Sequence, residues 1–241
     1  STYKVVTSLA GLEENAIVPA THFPVSCSGG YRYGTRYYKC WNHSGHGSLA
    51  LTNALAQSCD VYYYQLGLRL GVDRLAKWAE SIGLGTKTGI DLQGELPGVL
   101  PSPEWKMKRF RRPEQQKWYP GETISIGIGQ GYNSYTPIQL AQAVATLANG
   151  GTLYRPHLVA YIDNPRTGER RNFEPEVVHR VPARADHIEF VKRAMAGVNK
   201  EGTGARSFAG AQYTSGGKTG TAQVIEIKQN EKYDESKVAE R

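Results

Sequence analysis

Residues 216–227 read Gly-Gly-Lys-Thr-Gly-Thr-Ala-Gln-Val-Ile-Glu-Ile. The β-branched pair Val224 and Ile225 predicts a strand, and the glycine pair before Lys218 is typical of the turn that leads into one. The glycines beside Lys218 leave room for the backbone of a ligand to come close. The stretch therefore predicts a strand whose first residues, a lysine and two hydroxyls, face a site.

Two further motifs precede this stretch in the chain. Residues 1–4 form a Ser-x-x-Lys, and Ser58-Cys59-Asp60 is close to a Ser-x-Asn. Short patterns of serine and lysine arise often by chance, so each motif alone is weak. The three in this order, with the lysine-threonine-glycine last, form a specific combination.

The ordered set resembles the penicillin-recognising serine acyltransferases, and more narrowly the class B penicillin-binding proteins. The run Ile-Gly-Ile-Gly-Gln-Gly-Tyr at 126–132 looks like the segment that these enzymes carry between their second and third motifs. The resemblance spans nearly the whole chain. The chain is most similar to the penicillin-binding protein 2 group, the D,D-transpeptidases of cell-wall elongation, because of its segments 105–110 and 45–47.

Spacing assigns roles to the first motif. Ser1 opens a helix predicted to run to about Asn15, and the i, i+3 relation puts Lys4 one turn on and on the same face. A serine hydroxyl is a poor nucleophile until a nearby group takes its proton, and a neutral lysine can do so. We expect Ser1 to be the nucleophile and Lys4 its base, although the acylation base of such enzymes is disputed.

The second motif lies at a polar break between predicted helices at 48–57 and 61–70. Ser58 is expected to relay a proton to the leaving amine. Asp60 stands where the family has asparagine, and an ionised carboxylate accepts hydrogen bonds but donates none. This difference favours a pairing of Asp60 with Lys4 or Lys218 over a contact with substrate.

The resemblance implies the remaining features of the site. The fold would be α+β, the antiparallel sheet and flanking helices of penicillin-binding protein transpeptidases and serine β-lactamases, with a mainly helical subdomain. Lys218, Thr219, Gly220 and Thr221 would bind the substrate, and the backbone N–H groups of Ser1 and Thr221 would form the oxyanion hole. No cofactor is expected for catalysis. Ser1 would attack the D-Ala-D-Ala carbonyl of a peptidoglycan stem peptide, and β-lactam antibiotics would acylate the same serine.

Other functions remain open at this stage. A β-lactamase or D,D-carboxypeptidase would form the same acyl-enzyme but use water as the acceptor, although no Glu-x-x-Leu-Asn deacylation motif is present. A non-enzymatic β-lactam sensor would acylate once. An N-terminal-nucleophile hydrolase would use the amine of Ser1 as base.

The charge and length of the chain limit which binding partners and which cellular location we expect. The 241 residues carry a formal net charge of +7, which suits stem-peptide carboxylates or an anionic membrane surface. The cations that cluster lie at 106–112, and the single Phe110 among them is not the aromatic interleaving of a nucleic-acid platform. We expect residues 1–241 to be part of one transpeptidase domain in the bacterial periplasm. By resemblance, an inner-membrane anchor, a stalk and further strands would lie outside the chain, and a membrane glycosyltransferase and elongation-complex proteins would be partners.

The three cysteines suggest a structural metal site. Cys27, Cys40 and Cys59 fall in the first quarter of the chain, with two histidines between the last two. Three thiolates and one imidazole make a tetrahedral zinc set, and a turn-rich segment with little core of its own is where such a site is useful. His46 is the preferred fourth ligand because glycines flank it, with His43 in reserve. The alternative is a Cys27–Cys40 disulfide with Cys59 as a buried thiol.

Overall fold

The computed structural model describes residues 1–221. The first helices are α1 (Lys4–Glu13), α2 (Leu51–Ala56), α3 (Asp60–Leu70), α4 (Val72–Ser81) and α5 (Pro103–Arg109). They are followed by α6 (Pro113–Gln116), α7 (Pro120–Ile126), α8 (Pro137–Ala148), α9 (Ala185–Lys200) and a 3₁₀ turn (Ala205–Phe208). The strands are β1 (Gly30–Tyr33), β2 (Arg36–Lys39), β3 (Thr152–Tyr154), β4 (Tyr161–Asp163), β5 (Arg170–Asn172) and β6 (Val177–Arg180).

Helix α1 lies at the centre of the helical part. Every residue from Lys4 to Leu12 is buried, and α1 contacts α2, α3, α4 and α9. Its predicted apolar residues Val5, Val6, Leu9 and Leu12 are all in the core. Because α1 is enclosed on all sides, the residues at its start are held on a rigid support.

Several predicted helices are confirmed. Helix α3 occupies the segment predicted at 61–70. Apolar periodicity also predicts a helix at 72–82 ending at Gly83 and one that starts at Thr136-Pro137, where α4 and α8 lie, and Gly83 has a φ of +91°. The Thr136 side chain caps α8 by accepting from the Gln139 N–H, as its position before Pro137 predicts.

Two caps that the sequence predicts are wrong, Ser48 for the helix at 48–57 and a capping box of Asp186 with Glu189. Ser48 does not cap a helix, because α2 begins at Leu51 and the Ser48 hydroxyl bonds instead to His22. Asp186 forms no capping box with Glu189, because α9 begins at Ala185, before Asp186. Opposite charges nearby engage these acids instead, in the pairs Arg184–Asp186 and Lys192–Glu189. Ser1, as expected for a nucleophile, does not cap α1, whose N-cap position is Tyr3.

The strands form three antiparallel pairs, β1–β2, β3–β6 and β4–β5. The β4–β5 pair closes the hairpin predicted around residues 167–169. The β1–β2 pair lies in the stretch 18–47, for which the sequence predicted irregular structure, and Gly34 at φ +58° makes its turn. The strand predicted beyond Thr221 lies outside the described residues.

The glycines at 127 and 129 allow close packing behind α1 and α3, as expected. A Cβ on Gly127 would lie 2.9 Å from the backbone oxygen of Tyr63. A Cβ on Gly129 would lie 3.7 Å from the backbone nitrogen of Ser1. The loop after α7 therefore lies directly against the start of α1. None of the helices within residues 1–221 is long and apolar enough to span a bilayer.

Candidate active site

The first two motifs meet at the start of α1. Ser1 lies one turn before the first helical hydrogen bonds, and the N–H of Lys4 donates to its carbonyl at 3.2 Å. The Ser1 and Ser58 hydroxyl oxygens are 3.1 Å apart. Residues 57 positions apart in the chain are thus within direct proton-transfer distance.

Ser58 has an unusual backbone conformation. Its φ is +54°, a left-handed value that costs free energy for a residue with a Cβ and is common at functional sites. The turn between α2 and α3 imposes it, since the N–H groups of Ser58 and Cys59 bond back to Leu55 and Ala54. The strained turn places the Ser58 hydroxyl between Ser1 and two lysines.

Lys4 is the buried cation of the site, with 1% of its surface exposed. Its ammonium donates to the Asp60 carboxylate at 2.6 Å, to the Ser58 hydroxyl at 3.0 Å and to the Ser58 carbonyl at 2.8 Å. These contacts connect Lys4 to Ser1 through Ser58. The sequence placed Lys4 on the same face as Ser1 but did not foresee that Ser58 lies between them.

Asp60 pairs with Lys4, one of the two partners that its charge favoured. Its second oxygen accepts from the Trp41 backbone N–H at 3.0 Å. Both carboxylate oxygens are therefore engaged within the protein. The arrangement makes Asp60 the counter-ion of Lys4 and leaves it little capacity for a substrate contact.

Lys218 completes the cluster from the third motif. Its ammonium donates to the Ser58 hydroxyl at 2.8 Å and approaches the Ser1 hydroxyl at 3.4 Å. Burial, with the nearby positive charge of Lys4, lowers the pKa of Lys218 to about 7, although Asp60 opposes the shift. Near neutral pH both the cationic and the neutral form of this lysine are therefore populated.

The residues after Lys218 are close to the site but exposed. The Thr219 hydroxyl is 2.7 Å from that of Thr203. A Cβ on Gly220 would lie 2.9 Å from the Thr2 hydroxyl, so glycine allows the third motif to approach α1. Thr221 is exposed at the end of the described part. This open edge is where a substrate could lie beside Ser1.

Two supporting residues were not predicted from the sequence. The Tyr63 hydroxyl is 2.7 Å from that of Ser8, and its ring lies 5.5 Å from the Lys4 ammonium. The Trp41 indole N–H donates to the Ser58 carbonyl at 3.1 Å. Spacing gave no signal for either, because both act across long sequence separations.

The cysteine cluster lies behind the second motif. Cys27, Cys40, His46 and Cys59 offer ligand atoms that all lie within 4.8 Å of one another. The Nδ1 of His46 is 3.5 Å from both the Cys27 and Cys40 sulfurs, whereas His43 is outside the cluster. All three cysteines are free thiols, so the alternative Cys27–Cys40 disulfide is absent.

The donor set and its spacing fit zinc. In a tetrahedron with Zn–S distances of about 2.3 Å, ligand atoms lie about 3.5–4 Å apart, which the cluster needs little movement to reach. Gly45 and Gly47, with φ of +86° and +69°, shape the loop that presents His46. The Cys59–Cys40 hydrogen bond lowers the pKa of the Cys40 thiol, and the same contact together with burial raises the pKa of Cys59. Because metals bind the thiolate form, zinc would displace the proton that the two sulfurs share.

Comparisons with known proteins agree with this geometry. The family described as penicillin binding protein transpeptidase domain matches residues 1–239. Peptidoglycan D,D-transpeptidase MrdA of Haemophilus influenzae is 39% identical over 97% of this chain and 36% of its own length. The MrdA of Escherichia coli K12 is 41% identical over 85% of this chain and 32% of its own length. The chain thus spans about a third of the curated relatives that it matches.

Solved structures show the same fold. Pseudomonas aeruginosa PBP2 in complex with WCK 5153 has a TM-score of 0.80 at 37% identity, covering 93% of this chain and 50% of that one. A peptidoglycan synthase complex that coordinates polymerization and crosslinking has a TM-score of 0.77 at 34% identity, covering 91% and 35%. Helicobacter pylori PBP2 in complex with MreC has a TM-score of 0.76 at 30% identity, covering 93% and 39%. These neighbours confirm the predicted α+β transpeptidase fold.

Proposed function

We propose that this chain, which belongs to the penicillin-binding protein transpeptidase family, catalyses the D,D-transpeptidation of peptidoglycan stem peptides during cell elongation. The observation that carries the proposal is the convergence of the three motifs. Ser1 and Ser58 are 3.1 Å apart, and Lys4 and Lys218 both donate to Ser58. A nucleophile, a hydroxyl relay and two amines within hydrogen-bond distance are the parts that serine acyl transfer needs.

In the acylation step Ser1 attacks the carbonyl between the two D-alanines. A C–O bond forms as the Ser1 proton passes through the Ser58 hydroxyl to Lys4. Lys4 can accept this proton once its ammonium has given one to the Asp60 carboxylate, 2.6 Å away. When the C–N bond breaks, the proton returns through Ser58 to the amine of the departing D-alanine. In the second step an amine of a neighbouring stem attacks the ester, loses a proton by the same route and releases Ser1.

Lys218 and Thr219 bind the terminal carboxylate of the stem. A cation beside a hydroxyl suits a carboxylate, and Lys218 is already 2.8 Å from the relay serine. The backbone N–H groups of Ser1 and Thr221 stabilise the oxyanion of the tetrahedral intermediate, a contribution that is typically a few kcal/mol.

A hydrolytic alternative finds less support in the described residues. A β-lactamase or carboxypeptidase needs a group to activate water beside the acyl-enzyme. Within residues 1–221, Asp60 is the carboxylate that contacts the cluster, and Lys4 and Trp41 engage both of its oxygens. This supports an acyl-enzyme that waits for an amine.

The test is the reaction of the full-length protein with stem-peptide substrate. We expect release of one D-alanine per cross-link, and we expect Ser1→Ala to abolish both products without unfolding the protein. Release of D-alanine without cross-links would favour a carboxypeptidase, rapid turnover of a β-lactam would favour a β-lactamase, and a single acylation without either product would favour a sensor.

The same family membership supports a location and partners. We propose a periplasmic catalytic domain anchored in the inner membrane, working with a glycosyltransferase and with elongation proteins. Support comes from the solved neighbours, one in a peptidoglycan synthase complex and one bound to MreC.

We also propose that Cys27, Cys40, His46 and Cys59 bind a structural zinc ion. Cys59 is the middle residue of the second motif, and Trp41, next to Cys40, donates to both Ser58 and Asp60. Zinc would therefore fix the turn that carries the relay serine. Bound at this position, zinc would supply folding free energy and would take no part in acyl transfer.

Elemental analysis of purified protein should give about one zinc per chain. We expect Cys59→Ser to lower both the metal content and the rate of penicillin acylation, while Ser28→Ala, a neighbouring change outside the donor set, leaves the metal in place. Metal-free protein with a mass two hydrogens below the reduced value would contradict the zinc proposal and favour the disulfide.

A further inference from the structure

The segment from α5 to the residue after α6 presents an unpaired positive surface. We call this surface, defined by the exposed side chains of Lys108, Arg109, Arg111, Arg112 and Lys117, the cationic arm. Within residues 1–221 none of the five forms an ion pair, whereas Arg155, Arg170, Arg184 and Lys192 each pair with an acid elsewhere on the surface. Five cations in ten residues with one intervening acid, Glu114, create a positive field that attracts an anionic partner.

The arm is fastened to the body of the protein by a sixth cation. Lys106 is 3% exposed and donates to both oxygens of Glu122 at 2.6 Å and to the Lys117 carbonyl at 2.7 Å. The rings of Trp118 and Tyr119 lie 5.7 and 5.4 Å from its ammonium. The sequence analysis grouped Lys106 with the surface cluster. In the structure Lys106 is instead buried, and its hydrogen bonds join α5, the end of the arm and α7.

A chain of contacts links the fastened arm to the loop that lies behind the nucleophile. Gly129 lies against the backbone of Ser1, and three residues later the ring of Tyr132 is 5.2 Å from Trp105 and 5.9 Å from Phe110. Three residues span at most about 10 Å. An extended five-residue stem peptide spans about 17 Å. Because the path from Ser1 to the arm also includes these ring contacts, the arm suits stems farther along the strand more than the stem at Ser1.

We propose that the cationic arm binds the free carboxylates of peptidoglycan stem peptides on the strand whose D-Ala-D-Ala end is at Ser1. This inference rests on the proposed function. The guanidinium groups of Arg109, Arg111 and Arg112 suit carboxylates, which they bind through two parallel hydrogen bonds. Lys218 holds the terminal carboxylate, and the arm holds those farther along the strand, so the two together favour polymeric substrate over a short peptide.

The test is co-sedimentation of the full-length protein with purified sacculi. Arg111→Gln with Arg112→Gln removes two of the five charges, and Arg166→Gln with Arg171→Gln removes two exposed charges from the β4–β5 hairpin as the matched control. We expect the arm variant to bind sacculi about tenfold more weakly and with a smaller dependence on salt, and the control to stay within about twofold of the unaltered protein. Sacculi whose carboxylates have been blocked with carbodiimide and ethanolamine should lose the difference between the arm variant and the unaltered protein.

Three results would overturn the inference. They are equal binding of the arm variant and the unaltered protein, an equal loss in the control variant, and a loss that persists with blocked sacculi. Vesicles containing phosphatidylglycerol are the second probe. If the arm variant loses vesicle binding while its binding to sacculi is unchanged, the surface faces a membrane instead.

Labelled penicillin separates this inference from the proposed function. If penicillin acylates Ser1 while the arm variant binds sacculi normally, the inference about the arm fails alone. If no adduct forms on Ser1 while sacculus binding still depends on the arm, the proposed function fails and the carboxylate-binding surface stands.

Discussion

At the scale of single residues, the aspartate at position 60 explains the electrostatics of the site. Lys4 is buried and its ammonium is 2.6 Å from Asp60, whose side chain is 14% exposed. Removing one partner of a buried ion pair leaves an uncompensated charge and costs about 3–5 kcal/mol. The Asp60 carboxylate therefore serves to neutralise the charge of Lys4 more than to bind substrate.

We expect Asp60→Asn to lower the free energy of unfolding by about 3 kcal/mol. Both oxygens of Asp60 accept hydrogen bonds, from Lys4 and from the Trp41 N–H, and asparagine has only one oxygen to offer. Denaturant unfolding measures the loss, and the rate of penicillin acylation should fall at least tenfold with it. Unchanged stability would show that the Lys4–Asp60 pair is not a buried ion pair in solution.

Lys218 should make acylation depend on pH near neutrality. Burial lowers its pKa to about 7, so in the free protein its cationic form is complete below this pH and is lost as the pH rises through it. The second-order rate constant with a carboxylate-bearing β-lactam reports the free protein and should decline above about pH 7. Arginine stays charged over the whole range.

For this reason Lys218→Arg should move the alkaline limb of the profile to higher pH, even if the maximum rate is lower. The melting temperature should fall slightly, because arginine stays charged at a position where burial disfavours a charge. If the arginine variant and the unaltered protein show the alkaline limb at the same pH, that limb reports the titration of another group.

The sequence motifs predicted which residues form the site better than they predicted how these residues contact one another. The three motifs contributed Ser1, Lys4, Ser58, Asp60 and Lys218, all of which meet. The link from Lys4 to Ser1 through Ser58 depends on the left-handed φ of Ser58. No local sequence pattern predicts that conformation. The role of Trp41 depends on the loop that also carries Cys40, so it follows from tertiary structure.

At the scale of elements, the crossing of α3 and α7 positions the loop behind Ser1. A Cβ on Gly67 would lie 3.1 Å from the Cα of Gly127 and 3.3 Å from the carbonyl of Thr123. Both are backbone atoms, which cannot move aside as a flexible side chain can. Gly67→Ala would push α7 away from α3 and with it the loop that carries Gly129.

We expect Gly67→Ala to cost about 1–3 kcal/mol of stability and to slow acylation of Ser1. Gly197→Ala is the matched control, because Gly197 lies inside α9 and its added Cβ would meet only side-chain atoms at 3.6 and 3.8 Å. Alanine there should be neutral or stabilise the protein by up to about 1 kcal/mol. Equal effects of the two changes would contradict the crossing as the cause.

Helices with strong apolar periodicity were predictable, and short helices without it were not. Helices α3, α4 and α8 follow apolar periodicity and glycine ends. Helices α5, α6 and α7 each begin with a proline at the first position, the signal that helped to predict α8 at Pro137 but was not applied to them. The predicted capping box of α9 failed because the helix begins before Asp186, and its acids pair with Arg184 and Lys192.

At the scale of the whole molecule, one buried helix organises the site. Helix α1 packs against four other helices and carries Ser1 and Lys4 at its start, while α3 brings Asp60 and the cysteine cluster holds the turn before it. The sequence predicted the α+β class only through its resemblance to the family. The three strand pairs among the described residues are short and give little strand pattern of their own. The site is therefore built on the helical core, and the third motif closes it from one side.

The most direct test of the central claim is the reaction of the full-length protein with a labelled penicillin, followed by peptide mapping of the adduct. Because the Ser1 hydroxyl contacts Ser58 and Lys218 and is linked to Lys4 through Ser58, we expect one stable adduct per chain on Ser1 and none in a folded Ser1→Ala variant. An adduct on any other residue, or no adduct with intact protein, would contradict Ser1 as the nucleophile and with it the proposed acyl transfer.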